Sequence, residues 1–171
     1  MLNKFFSTTL IVLIFIATLF QPHQRDEVQG EEIALLNIFD FTLYEISKKG
    51  LETTMVATEA QRFKDRYVLK NTSYTDSSKK VVSHLSSKEA IYKDEIIYAN
   101  GDVYYKKDDG LEFKTDEATY NKKTSIATSK TPYIATMGKN TITGDYLTHN
   151  VNAEKTVSKN ISAIYYIEEK R

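Results

Sequence analysis

Histidines and carboxylates are the side chains of this sequence that could bind a metal or transfer protons. The three histidines, His23, His84 and His149, have no short-spaced partner of the kind that metal sites use, and no cysteine supplies a thiolate. Aspartates and glutamates lie mostly beside lysines, so nothing marks a catalytic pair. Glycine-rich phosphate loops and nucleophile motifs do not occur in the sequence. We predict no catalytic residue, no metal and no cofactor, which leaves an exported carbohydrate-active enzyme as the weakest alternative.

Charge and composition narrow the classes of protein to which this sequence could belong. Lys plus Arg and Asp plus Glu are 23 each in 171 residues, so no net field favours binding to nucleic acid. The 12 tyrosines and 8 phenylalanines, together with abundant threonine and 2 prolines, are typical of sheet-forming sequences. These numbers favour a binding or structural protein built of β-strands.

The elements that would position a binding surface have the pattern of strands. Apolar or aromatic residues alternate with polar ones in segments such as IIYANGDVYY and LEFKTDEATY, and turn-forming residues separate the segments. Asp109-Gly110, between two such segments, is a short-hairpin signal. The sequence predicts an all-β domain of about ten short strands.

A Glu-Ala pair followed by an aromatic residue recurs along the strand-rich part. Ala60, Ala90 and Ala118 each follow a glutamate, at intervals of about 28 to 30 residues, and an aromatic lies two or three positions later. A fixed period of this length indicates one supersecondary unit that is stacked several times. We predict stacked β-hairpins in which the alanine permits a tight corner and the aromatic covers it.

The N-terminus has a different composition from the rest. An uncharged run from Phe5 to Phe20 has Lys4 before it and Arg25 after it. A helix over this run reaches ~24 Å, against about 30 Å for a bilayer core. No small-x-small cleavage site follows, which favours an uncleaved anchor over a signal peptide. Lys4 lies in the short segment before the apolar run, and a positive charge there predicts a cytoplasmic N-terminus.

Three parts are therefore predicted. Residues 1–21 form a transmembrane anchor, residues 22–36 a polar linker, and residues 37–171 a β-domain outside the inner membrane. The alternative is a cleaved signal peptide, which would leave a soluble exported protein. An intact N-terminus in purified membranes separates the two.

One face of the predicted sheet collects large apolar side chains and is expected to turn inward. Its members are Phe39, Phe41, Leu51, Ile97, Val103, Leu111, Phe113, Ile126, Ile134, Ile142, Leu147, Val157 and Ile161. This face is an ordinary core on one interpretation. On the other, small inward residues leave the layer thin and open, so that an apolar ligand completes it.

The C-terminal half resembles a known family. The matching residues are Leu111-x-Phe113-x-Thr115-x-x-Ala118-x-Tyr120, a Ser/Thr-rich strand with Pro132, then Ile142-x-Gly144 with Leu147 and Asn150 nearby. With the short anchor and polar linker, this order is similar to that of the LptC family, the bitopic periplasmic component of lipopolysaccharide export. His149-Asn150 and the Lys-containing Ser158-Lys159-Asn160 depart from the family pattern.

The resemblance implies a twisted, partly open β-jelly roll whose interior takes the acyl chains of lipopolysaccharide. The inward, lipid-binding residues would be Phe41, Ile97, Val103, Phe113, Ile126, Ile134, Ile142 and Ile161. Gly144 would have a structural role, in a strand close to a neighbouring backbone. The expected location is the inner membrane, with one membrane pass and a periplasmic β-domain.

The resemblance also implies partners. The anchor would pack with transporter membrane subunits of the LptF and LptG type, which work with an LptB ATPase. The C-terminal strand edge, with Ala163, Tyr165 and Ile167 on one face, would dock a bridge protein of the LptA type. A soluble LptA-like bridge or a secreted β-repeat protein with a cleaved signal is the alternative function.

Overall fold

The computed structural model describes residues 32–48 and 50–167, which form twelve β-strands and no helix. The strands are β1 (Leu36–Ser47), β2 (Gly50–Arg62), β3 (Tyr67–Asp76), β4 (Ser83–Lys93), β5 (Ile96–Lys107), β6 (Leu111–Asn121), β7 (Ile126–Ser129), β8 (Tyr133–Met137), β9 (Asn140–Gly144), β10 (Tyr146–Asn150), β11 (Lys155–Lys159) and β12 (Ser162–Ile164). The predicted all-β class is confirmed. The predicted short strands are wrong for β1 to β6, which have 10–13 residues each.

The sheet is antiparallel and branches at β6. Strands β1 to β6 pair in chain order, and the turn at Asp109-Gly110 joins β5 to β6 as the sequence predicts. One half of β6 pairs with β7, which continues to β10 and β11. The other half pairs with β8, which continues to β9 and β12. Within residues 32–48 and 50–167, β1 at one end and β11 and β12 at the other each pair on one side only, so this sheet stays open.

A line of left-handed residues crosses the long strands. Asp40 in β1, Asn71 in β3 and Asp102 in β5 all have positive φ, at 52°, 47° and 49°. Aspartate and asparagine tolerate this conformation better than other residues with a Cβ. Paired residues are interrupted at this level between every two neighbouring long strands. We call this line the crease.

The crease resets which side chains face inward. In β1 both Ile38 and Phe41 lie on the more buried face, whereas Phe39 between them is 65% exposed. We call this more buried side of the sheet the inner face, because it carries Ala57, Ala99, Val103 and Tyr133, four of the five buried apolar residues in the described part. The expected inward position of Phe39 is wrong, because the strand alternation does not continue through Asp40.

The crease divides the sheet into two leaves. The first leaf holds the halves of β1 to β6 that carry the Glu-Ala repeat, with β7, β10 and β11; the second leaf holds the other halves with β8, β9 and β12. Burial raises the pKa of Tyr74 in the second leaf, and smaller contributions come from Asp76, Glu45 and, from the first leaf, Tyr120. Tyr133 Oη in β8 also lies 2.7 Å from Ser158 Oγ in β11. The inner faces of the leaves therefore approach each other.

Cross-strand pairing explains the Glu-Ala repeat. Its alanines lie in register with residues of the intervening strands in one row on the inner face of the first leaf: Ala60, Leu69, Ala90, Ala99 and Ala118. The preceding glutamates form the adjacent row on the outer face, where Glu89 pairs with Lys70. The hydrogen bond from Lys70 holds the pKa of Glu89 below its ordinary value. The small side chains line the interior next to the crease.

The N-terminal prediction falls on residues outside this description. Of the part of the chain that the structure describes, no helix has both the length and the apolar character to cross a membrane. The predicted anchor, residues 1–21, lies outside the described residues. Strand β1 begins at Leu36, beside the predicted start of the β-domain at residue 37.

Candidate functional site

The inner face of the second leaf carries one continuous row of side chains across nine strands. In order from β1 to β12 the row is Leu43, Met55, Tyr74, Leu85, Tyr105, Phe113, Ala135, Ile142 and Ala163. The Phe113 and Tyr133 rings stack with their centroids 5.3 Å apart. The row is apolar along most of its length, which suits contact with a long hydrocarbon chain.

The inner face of the first leaf opposes this row with small and aromatic residues. Beyond the alanine row lies a second row, Leu36, Arg62, Tyr67, Tyr92, Ile97, Tyr120 and Ala127. Burial raises the pKa of the Tyr74 phenol well above its ordinary value, with smaller contributions from Asp76, Glu45 and Tyr120. The Tyr74 phenol is therefore partly desolvated.

The interior is nevertheless not closed. Among the described residues the buried apolar side chains are Ala57, Val68, Ala99, Val103 and Tyr133. The larger members of both inner rows, such as Tyr105 and Phe113, keep part of their surface exposed. A domain of this length normally buries many large apolar side chains completely. An apolar ligand between the leaves would cover the surface that the protein itself leaves open.

Polar groups at the crease are satisfied within the protein. Thr115 Oγ1 lies 2.8 Å from both Ser129 Oγ and Thr131 Oγ1 and also donates to the carbonyl of Pro132. No buried side-chain polar atom among the described residues is without a hydrogen-bond partner. This network ties β6 to the segment between β7 and β8.

Five of the predicted lipid-binding residues lie on the inner face: four are in the long strands β1 to β6, and the fifth is Ile142 in β9. Phe41 pairs with the buried Ala57, and Ile97 pairs with Tyr92 and Tyr120. Val103 is 2% exposed, and Phe113 lies in the row of the second leaf. These positions follow alternation within long strands, which is where the sequence pattern is strongest.

Two of the predicted inward residues face outward. Ile134 pairs with Lys114 on the outer face and is 48% exposed, while its neighbour Tyr133 is buried. Ile126 pairs with Asn121, which places it beside Thr119 and Tyr98 on the outer face of the first leaf. The prediction for both strands was therefore wrong by one residue in register. A shift of one residue exchanges the inner and outer faces of a strand.

The other residues that were predicted to face inward are largely exposed to solvent. Ile142 pairs with Ala135 in the inner row of the second leaf, but it is 42% exposed near the sheet edge. Ile161 is exposed in the connection between β11 and β12, so its expected inward position is wrong. Leu51 and Val157 are exposed as well.

Gly144 ends β9 at a close approach of three strands. A Cβ at this position would lie 2.8 Å from Cε1 of Tyr133 and 3.0 Å from the carbonyl oxygen of Lys159. Both neighbours are fixed, because Tyr133 is buried and Asp145 donates a backbone hydrogen bond to the same Lys159 carbonyl. The site has room for a hydrogen atom and not for a methyl group.

The predicted partner edge is shorter than expected. Ala163 lies in the middle of β12, which pairs with β9 and has no strand on its other side in the described part of the chain. Tyr165 and Ile167 lie beyond the end of β12 and are exposed, so the continuous strand that the sequence predicted over these residues ends at Ile164.

The sequence interpretation missed the tyrosines that line the interior. Tyr74, Tyr92, Tyr105, Tyr120 and Tyr133 all have inner-face positions. The repeat contained the signal, because an alanine and a tyrosine two positions apart lie on the same face of a strand. Ala90 with Tyr92 and Ala118 with Tyr120 could have identified this face.

Two open concavities lie away from the interior. One, of about 460 Å³, is on the outer face of the first leaf and includes Tyr98 and Thr119. The other, of about 840 Å³, lies on the outer side at the crease and includes Tyr104 and Lys114. Both mix charged, hydroxyl-bearing and apolar residues. The described residues also contain no group of three metal-binding side chains. The inner face is therefore the candidate site.

Comparison with known proteins identifies the family of the chain. No curated protein matches the chain. Residues 8–165 match the family described as lipopolysaccharide-assembly, LptC-related, over nearly the whole sequence. The matched range includes every strand of the sheet. The chain therefore belongs to the LptC family of lipopolysaccharide transport.

Proposed function

We propose that this protein holds lipopolysaccharide with its acyl chains between the two leaves and passes it to the next component of the export machine. The observation that carries the proposal is the incompletely covered inner face, where aromatic and aliphatic residues such as Tyr105 and Phe113 remain partly exposed. Covering such surface stabilises a complex by about 25 cal/mol for each Å² removed from water.

The path runs along the crease, from strand to strand. The inner row of the second leaf extends from Leu43 in β1 to Ala163 in β12 without a charged member. An acyl chain can therefore move along the row by exchanging one apolar contact for another. The protein acts as a conduit, and the energy for transport comes from an ATPase of the LptB type on the cytoplasmic side.

The two open ends of the sheet fit docking on both sides. Strand β1 offers an edge of 12 residues, and β12 offers a short edge at the other end. Unpaired strand edges bind other strands through main-chain hydrogen bonds. In the proposal β1 faces the periplasmic part of an LptF or LptG subunit, and β12 faces an LptA-type bridge.

Photocrosslinking in intact cells tests the lipid path. A crosslinking residue at Phe113 or Tyr105 should capture lipopolysaccharide, because both positions lie on the inner face. Replacement of Lys114 or Ile134, which pair with each other on the outer face, should give little capture and serves as the control. Equal capture at Phe113 and Lys114 would contradict the proposed interior path.

The proposed location is the inner membrane, with the N-terminal segment retained. The full-length chain should fractionate with inner membrane and start at its own first residue. A mature N-terminus near Gln21 or Pro22 in the soluble periplasm would instead favour a soluble bridge protein. N-terminal sequencing of the fractionated protein distinguishes the two.

A further inference from the structure

The two leaves are connected differently at the two ends of the sheet. Strands β1 to β6 run through the crease, so continuous strands join the leaves there. Strands β7 to β12 each belong to one leaf, and we call this part of the sheet the C-terminal end. The chain crosses between the leaves here in short connections, at residues 130–132, 145 and 160–161. Residues at the ends of strands are where a sheet can hinge, so side-chain contacts must help to fix the angle at this end.

A pair of hydroxyl groups bridges the leaves at the C-terminal end. Tyr133 in β8 belongs to the second leaf and Ser158 in β11 to the first, and their hydroxyl oxygens lie 2.7 Å apart. Ser158 also donates a hydrogen bond of 2.6 Å to the carbonyl oxygen of Tyr146. Because a serine hydroxyl has one proton, the Tyr133 hydroxyl is the donor to Ser158. We call the Tyr133–Ser158 pair the clasp.

Packing holds the Tyr133 ring in the position that this hydrogen bond needs. The residue is 4% exposed, and the Phe113 ring stacks on it with 5.3 Å between the ring centroids. The absence of a side chain at Gly144 makes room for the ring, since a Cβ there would lie 3.0 Å from the Tyr133 hydroxyl oxygen. A ring that is already immobilised loses little further freedom when its hydroxyl bonds, which favours the clasp.

Two other hydrogen bonds near the clasp have a different role. The backbone N–H of Asp145 donates to the carbonyl oxygen of Lys159 at 3.2 Å, and the side-chain amide of Asn160 donates to the Asp145 carboxylate at 2.8 Å. Both bonds involve residues of the connections, so they hold neighbouring crossings side by side. The clasp instead joins a strand of one leaf to a strand of the other, and it therefore acts on the angle between them.

We infer that the clasp limits how far the leaves separate at the C-terminal end, and that Tyr133 is a positioning residue for release of the lipid there. The second part rests on the proposed function, in which this end faces the bridge protein through β12. Loss of one such hydrogen bond changes the ratio of two populations about fivefold. A contact of this strength keeps the end closed without making the closure permanent.

Distances between spin labels on the full-length protein test the clasp. The sequence has no cysteine, so labels attach only at introduced ones. The first label pair, Lys139→Cys with Ala153→Cys, lies on exposed turns of the second and first leaves at the C-terminal end. The second label pair, Lys48→Cys with Lys64→Cys, lies on exposed turns at the two ends of β2, which runs through the crease. Double electron–electron resonance measures the distance within each pair.

Variants of either hydroxyl should open the C-terminal end. Tyr133→Phe removes the donor and keeps the ring, whereas Ser158→Ala removes the acceptor. Each should raise the ratio of separated to clasped molecules about fivefold, which lengthens and broadens the distance of the first label pair. The distance of the second label pair should not change. Ser158→Thr keeps the hydroxyl and should retain the wild-type distances.

Tyr146→Phe is the matched control. The Tyr146 hydroxyl accepts a hydrogen bond of 2.7 Å from Thr148 in the same strand, so its loss removes a bond within one leaf. Both label pairs should keep their wild-type distances in this variant. Thermal unfolding shows which variants fold. Because Tyr133→Phe and Ser158→Ala break the same bond from opposite leaves, either one suffices if folded.

The distances can overturn the clasp in two ways. Unchanged distances of the first label pair in the folded Tyr133→Phe and Ser158→Ala variants would show that the hydrogen bond does not limit the separation. An equal lengthening in Tyr146→Phe, or in the second label pair, would mean general loosening of the sheet and no local clasp.

A transfer measurement tests the role of Tyr133 in release. Lipopolysaccharide is loaded on full-length protein with a photocrosslinker at Tyr105, the bridge protein is added, and irradiation at intervals follows the loss of lipid. Tyr133→Phe should release lipid to the bridge about fivefold faster than wild type, and Tyr146→Phe at the wild-type rate. Longer distances with unchanged release would overturn the positioning role. Failure of wild type to load lipid would overturn the proposed function, whereas the distances would still decide the clasp.

Discussion

At Gly144 the backbone of β9 lies so close to the Tyr133 ring and the Lys159 carbonyl that no methyl group fits between them. Gly144→Ala should lower the free energy of unfolding by about 1–3 kcal/mol, because the added Cβ would lie 2.8 Å from a ring carbon of the buried Tyr133. Gly144→Arg should prevent folding. Thermal unfolding measures the first effect. In a Tyr133→Leu background the cost of Gly144→Ala should shrink, and an unchanged cost would mean that the ring is not the obstacle.

Lys122 gives the stability of the protein a specific pH dependence. Its pKa in the folded state is lowered from 10.5 to about 8, mainly by burial. Between these values the unfolded chain holds a proton that the folded chain has released, so stability rises with pH in this window. Below pH 8 both states are charged, and the folded state keeps the full cost of burying the charge.

Urea unfolding near pH 7 and near pH 9.5 checks this sign. The difference in unfolding free energy between wild type and Lys122→Gln should shift in favour of wild type at the higher pH. Comparison with the glutamine variant removes the contribution of other titrating groups. An identical pH dependence in both proteins would show that Lys122 is not desolvated.

The crease is an element-scale feature that depends on single backbone conformations. Asn71 has a φ of 47° and donates a hydrogen bond of 3.1 Å to Thr58 Oγ1. Asn71→Val should destabilise the protein by about 1–3 kcal/mol, since a β-branched residue is strained at positive φ. Asn71→Gly should be much better tolerated.

Ser73→Val is the matched control for this prediction. Ser73 lies two residues further along β3, is exposed, and is not among the residues with positive φ. A valine there should have little effect, because valine is a good strand former. Melting temperatures of the three variants provide the test, and equal loss in Asn71→Val and Ser73→Val would remove the conformational argument.

Strand β12 offers an element-scale test of the docking proposal. Ala163→Pro removes a main-chain donor from a three-residue edge strand, so it should reduce binding of the bridge protein and leave most of the sheet folded. Tyr165 lies beyond the end of β12, so Tyr165→Pro should reduce binding of the bridge protein less than Ala163→Pro does. Affinity capture measures binding, and circular dichroism measures folding. A folded Ala163→Pro protein that binds the bridge normally would place the docking surface elsewhere.

At the scale of the whole molecule, sequence patterns predicted what depends on regular alternation. The all-β class, the hairpin at Asp109-Gly110 and the inner positions of Phe113 and Val103 follow from residues inside long strands. The face of Phe39 could not be predicted, because Asp40 resembles any polar strand residue until its φ is known. An alternation that resets at one residue gives the wrong face on one side of it.

The faces of Ile126 and Ile134, beside the branch of the sheet at β6, could not be predicted for a different reason. Ile126 and Ile134 lie in strands of 4 and 5 residues on the two sides of the branch. So few residues do not establish which face of a strand is buried, and the partner strand decides it.

The interrupted pairing along the crease also determines how the molecule responds to mechanical load. On both sides of the crease the strands are tied by regular ladders, whereas at the crease itself neighbouring long strands lose one or more paired positions. Because fewer pairs connect the strands there, we expect the sheet to bend more easily at the crease than within either leaf. If the proposed path for acyl chains is right, a cargo with more or thicker chains is expected to widen the angle between the leaves at the crease. The ladders on both sides would then keep the register, and with it the row from Leu43 to Ala163.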